Sequence, residues 1–229
     1  LVVALCYLLS CIIILRIRYV KSSPSIRMGV DSVFLSLKEG FFYVLNKKQL
    51  RDLAILFFFI NIGIRVVFPN LIWIYSEVFK QPEDIISLLF VIIGFGSIIG
   101  AKTGACLIGK YSDLRIITGA AFIIALCSFL LTVASTAIMH AILWGLSSLV
   151  QSVIVVTFFT YRQKVTDSYI LGRVVSITRL MSYLAIPLAS VSSGLVLTTY
   201  NSVNYIYVIS GACILFPLIL FCFFTRRHF

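Results

Sequence analysis

Apolar residues fall into seven blocks along the chain, roughly 1–15, 52–76, 85–109, 116–134, 138–161, 174–199 and 205–225. Crossing about 30 Å of hydrocarbon takes about 20 helical residues whose backbone groups bond one another, so these blocks predict transmembrane helices. Blocks that exceed this length imply tilt, protrusion or bending. Pro187 and Pro217 fall inside the sixth and seventh blocks, where each removes a backbone donor and favours a bend. A second periodicity separates the first two blocks. From Gly29 to Asn46, Val30, Phe34, Leu37, Phe41 and Val44 recur every three or four positions, with Asp31, Lys38 and Glu39 between them. That spacing predicts an amphipathic helix lying along a membrane surface, preceded by a flexible joint at Ser22, Ser23, Pro24 and Ser25. The first block is short and opens at Leu1 with no initiator methionine and no charged lead of the signal-peptide kind. The expectation is therefore one tail helix of an earlier bundle (1–18), a linker with a surface helix (19–51) and a complete six-helix bundle (52–229).

Composition agrees with lipid as the solvent. Of the 229 residues 61% are apolar and only 12% are Asp, Glu, Lys or Arg, about half the charged share of a soluble domain. The net charge of +11 would suggest nucleic acid in a soluble protein, but its distribution gives another reason. Arg16, Arg18, Lys21, Arg27, Lys38, Lys47, Lys48 and Arg51 precede the second block; Lys110 and Arg115 follow the third; Arg162, Lys164, Arg173 and Arg179 flank the gap after the fifth; Arg226 and Arg227 end the chain. Sixteen of the nineteen basic residues thus lie on alternate connections, whereas the opposite side has Lys80 alone, beside Glu77, Glu83 and Asp84. This is the positive-inside pattern, which predicts a multi-pass protein of the cell membrane with the linker and carboxyl terminus cytoplasmic, and leaves nucleic acid nothing to explain.

Two cations fall inside blocks. Arg65 lies fourteen residues beyond Arg51, about 20 Å along a helix, and Lys102 lies eight residues before Lys110. A charge at such depth costs a few kcal/mol unless it meets water or an anion. All eight acidic residues lie in connections or at block ends. Either these cations line an aqueous cavity with partners elsewhere in a longer protein, or they snorkel to the border. Asn61, one turn before Arg65, and Gln151 in the fifth block complete the candidate substrate cavity, which a cation would bias towards anionic cargo. Helix–helix hydrogen bonding explains Gln151 equally well. Gly96, Gly100 and Gly104 repeat every four residues and predict a close helix contact, and Pro187 and Gly194 are candidates for the same role in the sixth block.

The six cysteines lie in apolar stretches without a CxxC pair, and His140 and His228 fall at opposite predicted sides, so neither a metal centre nor a histidine-based catalytic set is expected. No phosphate-binding loop of the G-x-x-x-x-G-K-[ST] kind occurs. The chain is thus expected to be no enzyme and to need no cofactor.

Two basic-side connections have more chemistry than a tether needs. One reads Gly109, Lys110, Tyr111, Ser112, Asp113, Leu114, Arg115, where Gly109 can end a helix and Ser112 or Asp113 can cap the next. The other is the run RQKVTDSYILGRVVSITR from Arg162 to Arg179, followed by Pro187 and Gly194. This run resembles the segment between the tenth and eleventh helices of the major facilitator superfamily, in its drug, macrolide and siderophore exporter branch; Thr166 stands where that family usually has a proline. SLKEGFFYVLNKKQLRDL, from Ser36 to Leu53, is similar to the family's surface helix and its lead into the seventh helix. The glycine-rich third block with Gly109, Asp113 and Arg115 resembles a degenerate copy of the family's paired-helix motif.

The resemblance implies helices six to twelve of a twelve-helix transporter, and an amino-terminal half outside this sequence. It further implies alternating access, export of a drug-like or siderophore-like small molecule, and exchange against protons. Asp113, Arg115, Arg162, Arg173 and Arg179 would then be gate residues, with Asp113, Arg162 and Arg173 in mutual charge contact. Because no acid is embedded here, the proton site would belong to the missing half. A membrane subunit served by a separate ATPase, and a seven-helix protein that transports nothing, are the alternatives.

Overall fold

The computed structural model describes residues 2–16 and 30–226. The expected joint at 22–25, with Arg18, Lys21, Arg27, Arg227 and His228, lies outside the described residues. The chain divides into two compact units, Leu1–Leu35 and Ser36–Phe229. The first unit contains helix α1, Val2–Arg16, whose described side chains are all exposed. Helix α2, Val30–Asn46, matches the expected amphipathic segment.

Six further helices are long and apolar enough to cross a membrane. α3, Lys48–Val67, continues through a 3-10 turn at Phe68–Asn70, the short α4 at Leu71–Trp73 and a π turn at Ile74–Val78. α5 is Glu83–Leu107, α6 Asp113–Leu130, α7 Ala137–Val165, α8 Leu171–Tyr200 and α9 Val203–Arg226. No strand occurs among the described residues. Local chemistry sets the helix ends. Ser112 accepts from the Arg115 amide to cap α6, and Thr136 accepts from the Met139 amide to cap α7. Asn201 ends α8 in the left-handed conformation, and Gly109, at φ 88°, makes the turn after α5.

The principal helix pairs are α5–α7, α6–α7, α3–α9, α3–α8 and α6–α9. Exchanging α3, α5, α6 for α7, α8, α9 maps this set onto itself: α3–α8 onto α7–α5, α3–α9 onto α7–α6, and α6–α9 onto its own reverse. Successive spans run in opposite directions, so the two three-helix halves have inverted orientations. The pairs give the order α5–α7–α6–α9–α3–α8, with α6 and α9 in the middle. α5 and α8 sit at the ends of the packing order, and only 28% and 17% of their most apolar windows are buried, against 39–50% for the other spans.

The glycine stripe explains the tightest pair. A β-carbon on Gly96 would lie 2.2 Å from the Gly145 carbonyl oxygen, and one on Gly100 would lie 2.0 Å from that of Leu149. Only glycine lets the two backbones come this close. Gly104 is looser, with a β-carbon there 3.1 Å from the Val153 α-carbon. Gly194 differs: a β-carbon there meets nothing within 4 Å, and both Gly194 and Pro187 are exposed on α8. Their expected packing role is therefore not exercised inside this bundle. The small residues lie on a face of α8 that has no neighbour among the described helices.

Candidate functional site

A break in α3 is the most unusual feature within the spans. Pro69 has no amide hydrogen, so the Arg65 carbonyl loses its helical donor, and the helix tightens into the 3-10 turn. The Asn70 side chain repairs part of the damage, donating to the Val66 carbonyl at 3.0 Å and to Ser193 Oγ of α8 at 3.1 Å. Arg65 lies in the last regular turn before the break, where the negative end of the helix dipole favours a cation. Its guanidinium stands 5.3 Å from the centre of the Phe68 ring, a cation–π contact. Its Nε is buried and has no hydrogen-bond partner among the described residues.

Phe68 also walls a small cavity of about 30 Å³ at the centre of the bundle. Ile64, Trp144, Ser148, Gln151 and the hydroxyl pair Ser128–Ser210, at 3.2 Å, complete much of the lining. The volume is roughly that of one water molecule. Of the four cavity candidates read from sequence, only Gln151 lines it. Asn61 donates to the Phe57 carbonyl of its own helix at 2.8 Å. Arg65 reaches the cavity only through Phe68. Lys102 is exposed on the face of α5 that carries Val91, Phe95 and Ile98, away from the glycine stripe. Because α5 ends at Leu107, Lys102 is about 8 Å from that end. That is within reach of snorkelling, so its depth is less costly than its spacing from Lys110 implied.

At the basic end the expected charge contacts are re-paired. Asp113 receives Lys164 Nζ at 3.3 Å, not Arg162 or Arg173. Arg173 instead pairs with Glu39 of α2. Arg162 is buried; it donates to Thr178 Oγ1 of α8 at 2.6 Å and lies 4.7 Å from the centre of the Phe159 ring. Arg162 faces inward because a guanidinium can lay its plane on aromatic rings, whereas the lysine ammonium two residues later needs the wet rim. Arg115 and Arg179 are exposed, with no ion pair among the described residues.

The sequence reading missed how firmly the linker is held. The Tyr43 hydroxyl donates to Asp167 Oδ2 at 2.8 Å and accepts from the Asp167 amide at 3.2 Å. Lys47 Nζ donates to the Val165 carbonyl at 2.7 Å and lies 4.0 Å from Asp167. The pKa of Lys47 is raised, Tyr43 foremost among the causes, so the amine stays charged at physiological pH. Gly40 lets α2 approach Arg173 to a distance that would leave a β-carbon only 2.9 Å from the arginine β-carbon. From Ser36 onward, α2 is thus clamped onto the α7–α8 connection. The Tyr-Val-Leu-Asn-Lys spelling gave little sign of this, because the partners lie well over a hundred residues away.

A third polar group lies at the opposite end. His140 is fully buried, with Nδ1 3.0 Å from the Tyr75 hydroxyl and Nε2 3.0 Å from the Tyr207 hydroxyl. Tyr75 belongs to the π turn and Tyr207 to α9, so the imidazole joins three elements. No cluster of three potential metal ligands occurs among the described residues.

Compared with known proteins, the chain matches no family model, no curated protein and no solved structure. Its class therefore rests on the chain itself: six spanning helices packed in one bundle make it an all-α, multi-pass membrane protein.

Proposed function

We propose that the chain is the carboxyl-terminal half of a secondary active transporter of the major facilitator type. In this account it exports a drug-like or siderophore-like small molecule in exchange for protons. The observation that carries the proposal is the inverted relation of the two three-helix halves, with α5 and α8 left bare at the ends of the packing order. Inverted repeats give two similar packings of one bundle, the basis for exposing a midplane site to either side in turn. The bare apolar faces of α5 and α8 suit a second bundle, supplied by the part of the protein that precedes this sequence. The interrupted α3, with Arg65 beside its break, fits the broken helices from which such midplane sites are built.

In this account Asp113 and Lys164 form a cytoplasmic latch that is closed in one state and parted in the other. The pair is worth at most about 1 kcal/mol as a half-exposed contact, small enough to open in each cycle. The buried Arg162–Thr178 contact holds α8 to α7 throughout.

The intact protein in proteoliposomes tests the proposal. An imposed proton gradient is expected to drive accumulation of a lipophilic or siderophore-like cargo without ATP, and Asp113→Asn is expected to slow it several-fold while the protein stays folded. Movement that requires ATP and a second protein would move the chain to the ATPase-served class. Unaltered transport by Asp113→Asn would remove the latch.

A further inference from the structure

A groove of about 440 Å³ runs between α3 and α9 at the basic end, remote from the break in α3. Its floor and walls are apolar, chiefly Ile55, Phe59, Phe216 and Leu220. Its rim carries Lys48, Arg51 and Asp52. From Lys48 to Phe59 is eleven helical residues, about 16 Å, or roughly half the thickness of a hydrocarbon core. The α9 wall comes from residues 216–221, near the basic terminus of that antiparallel helix. The groove therefore has the length of one leaflet, with its polar rim at the level of the headgroups.

We infer that this groove is a binding site for an anionic phospholipid of the leaflet on the basic side. Lys48 is exposed and enters no ion pair among the described residues, leaving its ammonium for a phosphate. Arg51 spends Nε on Asp52 at 2.9 Å, but the terminal nitrogens of its fork remain for a second phosphate oxygen. Asp52 is thereby neutralised, and the rim keeps a net positive charge. No side chain caps the amino terminus of α3, so the positive end of its dipole adds to that charge. One acyl chain lies along Ile55 and Phe59, against Phe216 and Leu220. Basic pockets between helices on the cytoplasmic side of membrane proteins select anionic headgroups on these same grounds. The site does not depend on the transport proposal, because it needs only a bundle in a bilayer.

The test uses the full-length protein in phosphatidylcholine liposomes doped with phosphatidylglycerol that carries a photoreactive group in one acyl chain. Labelling is expected to concentrate on peptides spanning 48–59 and 216–221 and to be competed by unlabelled phosphatidylglycerol but not by phosphatidylcholine. Lys48→Gln with Arg51→Gln is expected to lower labelling there at least several-fold while leaving the outer face of α6 around Phe122 labelled as before. Leu220→Trp, which fills the groove and keeps both cations, is expected to lower it as well. Even labelling of all exposed apolar faces, equal capture of a phosphatidylcholine probe, or labelling unchanged in the Leu220→Trp protein would each overturn the site.

Discussion

Gly100→Val is expected to abolish the folded protein, whereas Gly94→Val in the same helix is expected to be nearly neutral. The contrast isolates close approach from glycine as such. At Gly100 the first carbon of any side chain would lie 2.0 Å from the Leu149 carbonyl oxygen, and at Gly94 it meets nothing within 4 Å. The obstructing atom at Gly100 is backbone, so no rotamer change relieves the clash and α5 must move away from α7. Overpacking a tight core already costs about 1–3 kcal/mol where side chains can adjust, and here they cannot. The loss is expected to exceed about 3 kcal/mol, a large part of a membrane bundle's margin. Size-exclusion profiles and thermal unfolding in detergent read it. A Gly100→Val protein as stable as the parent would show that α5 does not pack on α7 through this stripe.

The second large effect is expected at His140. Changing it to alanine empties a fully buried site and leaves the Tyr75 and Tyr207 hydroxyls without their partner. Each orphaned buried group costs about 1–3 kcal/mol, and a large-to-small change in the core adds to it. Even partial relaxation leaves a loss on the order of 4 kcal/mol, or about 10 °C in a chain of this size. His140→Phe with both tyrosines changed to phenylalanine removes the polar groups together and is expected to recover much of the loss. A midpoint unchanged in His140→Ala would mean that the imidazole does not join α7 to the π turn and α9.

What the sequence made legible divides along a physical line. Each span was visible, within a few residues at its ends, because lipid demands an unbroken apolar run whatever the neighbours are. The amphipathic helix at Val30–Asn46 was legible for a related reason, a 3.6-residue period. The glycine stripe was readable as a close contact, though its partner, α7, was not. Pairing among charges was the poorest guide. Asp113 could be placed at a helix start, but its choice of Lys164 over Arg162 depends on which side of α7 faces the rim. The clamp of Tyr43 on Asp167 and the linkage of His140 to Tyr75 and Tyr207 depend on packing between distant segments. Neither has a local spacing that would reveal it. The break at Pro69 is different: Phe68-Pro69-Asn70, which begins three residues after Arg65 within an apolar run, is a local sign of the same kind as Pro187 and Pro217.

The central claim is that the broken region of α3 borders water in the intact protein. The most direct measurement replaces the six native cysteines, introduces Arg65→Cys, and exposes the full-length protein in membranes to a small charged thiol reagent. Phe122→Cys, on the outer face of α6, serves as the lipid-facing reference. Rapid modification at position 65, slowed by a transported compound, with none at position 122, is the predicted result. A cysteine at position 65 that reacts no faster than one at 122, and only with reagents dissolved in the bilayer, would contradict it.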